Sequence, residues 1–205
     1  DRKNIFFTVK WFCETFANDP DVGLIVKVNH GRATMIDRKL TKNTMKHLIS
    51  ETRSGPFPRI HVVHGSLSPR EMAGLYKRDD VKCLISLTRG EGFGLPLLEA
   101  AASGIPVIAT NWSGHLDFLR FGKFIPIKYK LTEIPENRVD NRIFVPGMKW
   151  ADPNEEDFKM KVSKIRNKYQ LPKQWAVDLS RKVKSEFSLS AVIEKYNNFY
   201  SMYVE

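Results

Sequence analysis

Short apolar runs alternating with helical patterns constrain this chain more than any other feature. Residues 22–28, 60–63, 81–87 and 106–109 are β-branched or apolar runs of strand length. Residues 124–127 make a fifth, which Pro126 confines to a sheet edge. The run at 22–28 is too continuous for a half-exposed strand and predicts one covered on both faces. Helical patterns fill the intervals. Ile5, Phe6, Val9, Phe12 and Phe16 share one stripe over residues 4–18. Residues 31–44 are polar and basic and read as a loop before a helix at 42–54, stopped by Gly55, Pro56 and Pro58. Ser68, Pro69 and Glu71 stand where an N-cap, a first helical residue and a capping-box partner belong, with Met72 and Leu75 inward. A further helix spans 96–103 and is closed by Gly104.

Strand–helix–strand order with short links implies right-handed crossovers. The fold class is α/β, a Rossmann-like parallel sheet with helices on both faces. Three apolar stripes without strands then predict a C-terminal helical tail. They are Phe158, Val162, Ile165 and Tyr169; Trp175, Leu179 and Val183; and Leu189, Val192, Ile193, Tyr196, Phe199 and Tyr203. Pro172 and Ser188 punctuate them, and Trp175 and Tyr196 read as core. Residues 1–150 form the Rossmann-like unit and 151–205 the helices packed on it. A doubly wound sheet ordinarily begins with a strand, but Asp1 leads through a loop into a helix. The sheet is expected to lack its first member.

A net charge of +10 draws phosphate in any form, whether nucleic acid, anionic lipid or a nucleotide-linked substrate. The cations, among them Arg38, Lys39, Lys42, Lys46, Arg53 and Arg59, are scattered rather than gathered into an arm. No stretch approaches the roughly 18 apolar residues of a membrane span, and the first residues lack a signal-peptide layout. Cys13 and Cys83 fall in apolar patterns and read as small hydrophobes of a reducing, cytoplasmic compartment. His30, His47, His61, His64 and His115 show no metal-binding spacing.

Thr88-Arg89-Gly90-Glu91-Gly92-Phe93-Gly94-Leu95-Pro96 joins the third run to a helix. Ligands of an open parallel sheet bind at that edge. The glycines let backbone approach a ligand, and Pro96 starts the helix, so amides near Gly94 and Leu95 face outward as donors for phosphate oxygens. Glu99, in the first turn, can accept hydrogen bonds from a vicinal diol such as ribose. Leu95 stands where a dinucleotide fingerprint needs glycine, and no Gly-Lys-Ser/Thr occurs, so that fingerprint and a P-loop are both excluded. A tight turn would explain the glycines, but not an acid held among them.

Residues 91–110, from Glu91-Gly92-Phe93-Gly94-Leu95-Pro96-Leu97-Leu98-Glu99 to Pro106-Val107-Ile108-Ala109-Thr110, resemble the signature of family-4 retaining glycosyltransferases. Arg2-Lys3-Asn4 is similar to that family's Arg-Lys-Gly, and Val63-His64-Gly65 with Leu75-Tyr76 resembles its strand–loop–helix around the base. Trp150-Ala151-Asp152-Pro153 resembles a late feature. The resemblance implies the C-terminal, donor-binding half of a two-domain GT-B fold. That half would serve transfer of a hexosyl group from a UDP- or GDP-sugar, with retention and with neither metal nor other cofactor. It implies that Glu91 is the catalytic carboxylate at the donor hexose. Lys3 and the backbone of Gly92, Phe93, Gly94 and Leu95 would hold sugar and diphosphate, Glu99 the ribose, and the backbone at Leu67 the base. The implied partners are a nucleotide sugar, an N-terminal acceptor domain, and an anionic membrane face or lipid-linked acceptor of polysaccharide biosynthesis, with no nucleic acid.

Two departures stand out: Asn4 replaces the glycine, and the family's second diphosphate arginine would fall before Asp1. The rival classes are a non-catalytic GT-B-like partner domain and a basic α/β nucleic-acid-binding module. Four side chains have lesser readings. His64 reads as a strand-end group bonding local backbone, Trp112 equally as a sugar platform or rim packing, Lys27 as a modest phosphate candidate, and Asp117 as serving its own short helix.

Overall fold

The computed structural model describes residues 2–29, 31–52 and 55–203. Its elements are α1 (Ile5–Thr15), β1 (Gly23–Val28), α2 (Met35–Thr52), β2 (Arg59–His64), α3 (Pro69–Tyr76), β3 (Leu84–Ser86), α4 (Leu95–Ala102) and β4 (Val107–Thr110). There follow α5 (Leu116–Leu119), β5 (Ile125–Ile127), β6 (Tyr129–Glu133), β7 (Lys149–Pro153), α6 (Glu155–Asn167), α7 (Gln170–Glu186) and α8 (Leu189–Tyr203). His30 and Arg53 lie outside the described residues.

All five expected runs are strands. β1 pairs with β2, and β3, β4 and β5 pair in that order, all in parallel, with β5 and its Pro126 at the edge. β1 and β3 are not hydrogen-bonded to each other, so one edge of each is unpaired among the described residues. β4 is buried throughout because it alternates between two cores. Val107 and Ala109 pack with Leu97, Ala101, Phe118, Leu179 and Val183 of α4, α5 and α7. Ile108 faces Trp11, Phe12, Phe158 and Val162 of α1 and α6. Helices on both faces thus fix β3 and β4, whose carboxyl ends carry the loops of interest.

Three expectations need correction, and one pairing was not foreseen. β1 is covered on one face only: Leu24, Val26 and Val28 pack toward α1 and α2, while Ile25 on the other face is 38% exposed. α2 begins at Met35, well inside the supposed loop. Its start is fixed by Thr34, whose hydroxyl accepts from the Asp37 amide at 3.2 Å while the Asp37 carboxylate accepts from the Thr34 amide at 3.0 Å. Such a cap needs no apolar stripe to announce it. β6 and β7 form an antiparallel hairpin, hidden in the sequence by the long stretch between them. Lastly, α8 has no buried residue among those described. Tyr196 is 60% exposed, so its stripe is a free surface rather than core. Trp175 is half-buried, with the Lys123 ammonium 5.5 Å from its ring centre.

The capping box at α3 forms as read from Ser68 and Glu71. Neither cysteine is in a disulfide: Cys13 is buried, and burial pushes the Cys83 thiol up to about 12, leaving it unreactive at neutral pH. No described helix is long and apolar enough to cross a membrane.

Candidate functional site

The loop after β3 is strapped to the start of the chain. The Arg89 amide donates to the Arg2 carbonyl at 2.8 Å, and the Arg2 guanidinium donates to the Gly90 carbonyl. This lays Arg2 and Lys3 against Glu91. Lys3 Nζ bonds one carboxylate oxygen, and Arg2 Nη1 lies 3.3 Å from the other. The Glu91 side chain is only 8% exposed. Burial alone would raise its carboxyl, but the two cations outweigh burial and hold it below the ordinary carboxylate value. Glu91 is therefore an anion at neutral pH.

A second loop clamps the Glu91 backbone. Its amide donates to Ser113 Oγ at 2.8 Å, Ser113 Oγ donates back to the Glu91 carbonyl at 2.6 Å, and the Gly114 amide donates to that carbonyl at 3.1 Å. Gly114 passes so close that a Cβ there would lie 1.8 Å from the Gly92 carbonyl oxygen, so only glycine fits.

Gly94 caps α4 at φ 89° and brings no side-chain hydrogen bond to the helix end. A side chain at Gly94 would also crowd His115 and Leu97. The Gly94 carbonyl accepts from the Leu97 and Leu98 amides at 2.9 and 3.1 Å. By contrast, the amides of Gly92, Phe93, Gly94 and Leu95 have no acceptor among the described residues. Four donors thus stand open beside a helix whose dipole adds positive potential. The Phe93 ring packs 5.4 Å from Phe118 and 5.8 Å from Phe187, which fixes the loop. Glu99 is exposed on α4. Burial, helped by the Glu99 charge, raises the neighbouring Tyr76 hydroxyl to about 12, and that hydroxyl donates to the Pro96 carbonyl at 3.4 Å.

Leu67 lies on the β2–α3 loop, half-buried, and its amide and carbonyl also lack partners among the described residues. Among the described residues no hydrogen bond joins it to the α4 end. The Lys27 ammonium bonds the Gly65 carbonyl and braces this loop. His64 does not bond local backbone through Nε2, which is buried without a partner among the described residues. Trp112 is partly exposed and packs 5.4 Å from the Tyr129 ring.

Asn4 takes up the glycine's place with φ 54°, a left-handed conformation asparagine tolerates better than most residues. Sequence reasoning passed over Arg2, Ser113 and Gly114 as site residues. Ser113-Gly114 does follow β4 at the ligand edge, but its hold on Glu91 spans 22 positions and has no local signal. His115 is fully buried. Burial lowers its pKa against the opposing pull of the Thr110 carbonyl, 2.7 Å from Nε2, and of Glu91, so the ring stays neutral. Among the described residues no three His, Cys, Asp or Glu side chains converge as metal ligands.

Residues 34–128 match the model of the family Glycosyl transferases group 1. The sucrose synthase of Melioribacter roseus is 33% identical over 130 residues, 58% of this chain and 16% of that protein. The pneumococcal O-GlcNAc transferase GtfA, solved with UDP and GlcNAc, superposes with a TM-score of 0.60 at 18% identity, covering 98% of this chain and 33% of its own. Anabaena HepE with UDP gives 0.60 at 14% identity, over 98% of this chain and 47% of its own. The C-terminal domain of a glycosyl transferase group 1 family protein, LpcC, from Francisella tularensis gives 0.55 at 20%, over 92% and 81%. Residues 34–128 are thus similar to glycosyl transferases group 1, and the chain has the α/β fold of the C-terminal domains of these GT-B neighbours. It spans only a small part of the sucrose synthase and under half of GtfA and HepE.

Proposed function

We propose that the chain is the donor-binding part of a retaining, metal-independent glycosyltransferase that moves a hexosyl group from a nucleoside-diphosphate sugar to an acceptor. The observation that carries this reading is the α4 end, where four open amides stand beside an ionised Glu91 with Glu99 exposed further in. A departing nucleoside diphosphate gathers negative charge, and donors fixed in advance stabilise that charge without reorganising. Lys3 and Arg2 supply two cations at the same place, for which the diphosphate competes with Glu91. Glu91 in turn opposes the positive charge that develops on the sugar ring. Glu99 receives the ribose hydroxyls, and the free backbone groups of Leu67 receive the base.

Retention and the hexose rest on the likeness of residues 91–99 to the family signature. Uridine is the first base to test, because the GtfA and HepE structures hold UDP; guanosine is the second. An acceptor domain and an anionic membrane face at the cytoplasmic side complete the proposal, the latter supported by the charge of +10. Nucleic acid is disfavoured: the exposed aromatics of α8 accompany one cation, Lys195, which is paired with Glu186.

Calorimetry with UDP, GDP and their sugars, in the presence of a chelator, tests the reading. Saturable binding of one of them is expected. Failure of all four alongside tight, salt-sensitive binding of oligonucleotides would contradict it.

A further inference from the structure

A recess of about 380 Å³ opens beside the first turn of α1, walled by Asn4, Phe6, Phe7, Arg89, Arg138 and Trp150. None of the residues from Glu91 to Glu99 lines it. The Arg89 guanidinium lies 4.6 Å from the Trp150 ring centre and 5.9 Å from that of Phe7. Its Nη2 is shared between Asp152 Oδ1 at 2.9 Å and Asn4 Oδ1 at 3.3 Å. Because the Asn4 oxygen faces that cation, its NH₂ group is the other end of the amide. Asn4 is 2% exposed, and this NH₂ has no partner among the described residues. Arg89 Nε is likewise buried and unmet. Buried donors without acceptors are rare in folded proteins because each forfeits its hydrogen bonds to water.

The charge is unbalanced as well. Arg138 stands exposed on the wall, close enough to act on Arg89, whose pKa is lowered mainly by burial and further by that like charge. Asp152 neutralises only one of the two cations. The Arg138 guanidinium, the Asn4 NH₂ and the Arg89 Nε–H therefore lack one acceptor-rich anion. The half-buried rings of Phe6 and Phe7 add apolar wall of the kind a pyranose ring packs on.

We propose that this recess binds an oxyanion, carboxylate or phosphate, carried on a sugar-sized molecule and held by Asn4, Arg89 and Arg138. The subsite shares no residue with the α4 end and stands independently of the nucleotide reading. Asn4 then has two uses: it adopts the left-handed conformation that starts α1, and it adds an amide that glycine would lack.

The test is titration of the chain, with UDP both absent and saturating, by calorimetry and Trp fluorescence. The probes are glucuronate, glucose 6-phosphate, inorganic phosphate and uncharged glucose. Glucuronate or glucose 6-phosphate is expected to bind saturably in both conditions, the better of the two identifying the anion, and glucose is not. Asn4→Gly, which keeps the backbone conformation, and Arg138→Gln, at an exposed position, should each weaken that binding about tenfold. Neither change should alter UDP affinity. Absence of binding by both sugar anions, affinity unchanged in both variants, or displacement by UDP would overturn the proposal. So would inorganic phosphate binding as tightly as either sugar anion, since the aromatic walls would then contribute nothing. UDP binding without sugar-anion binding would remove this subsite alone, and the reverse would remove the nucleotide reading alone.

Discussion

Helices α3 and α4 are alike in sequence terms and opposite at their ends. Each has eight residues, follows a parallel strand and carries proline in its first turn. At α3, Ser68 accepts from the Glu71 amide at 3.3 Å, and the Glu71 carboxylate accepts from the Ser68 amide at 2.7 Å. There the cap meets the Ser68 and Glu71 amides with its own side chains. At α4 the cap is Gly94, which has no side chain to offer, and the amides from Gly92 to Leu95 remain open. A closed end stabilises the fold; an open end costs stability and leaves donors for a ligand. Under the proposed reading, the glycine serves the ligand as well as the turn.

That contrast can be broken most severely at Gly114. Its Ala variant must push the Gly92 carbonyl away, and urea unfolding should show a loss of about 3 kcal/mol. A loss below about 0.5 kcal/mol would mean that the clamp on the α4 loop yields freely. Next in size, Glu99→Ala should weaken nucleotide binding by about 2 kcal/mol through lost charge-assisted hydrogen bonds, measured by calorimetry. Unchanged affinity would remove Glu99 from the site. Ser68→Ala sharpens the comparison from the other side. It should cost about 1 kcal/mol of stability while leaving nucleotide affinity as it was.

The smallest effect is a pH dependence. Hydrogen bonds from the Ser68 hydroxyl and amide hold the Glu71 carboxyl below its ordinary value. A carboxylate with a depressed folded-state pKa contributes stability above its unfolded value and loses it as pH falls through the folded one. Stability should therefore decline on acidification below the ordinary glutamate range, and Ser68→Ala should flatten that decline. Identical acid limbs for both proteins, in denaturation series at stepped pH, would show that this cap does not respond to protonation.

The α3 cap was readable because all its groups lie within four consecutive residues, and the placing of Glu91 and Glu99 along the α4 loop and helix because one short segment carries both. The five parallel strands were readable from their apolar runs for the same local reason. What escaped was either distant or unmarked by apolar pattern. Ser113 and Gly114 meet Glu91 through a different strand's loop. The β6–β7 pairing needs a register that no local residue specifies. α2 starts on a polar cap, in a segment whose composition resembles a loop. The stripe of α8 has helical spacing, but periodicity cannot say whether anything covers it. Here Leu189, Tyr196, Phe199 and Tyr203 are all exposed.

Amide hydrogen exchange followed by NMR, with and without UDP, reaches the central claim most directly. UDP should slow exchange at Gly92, Phe93, Gly94 and Leu95 while the Glu71 amide, already held by Ser68, keeps its rate. Saturation with UDP and no added protection at any of the four would contradict the account.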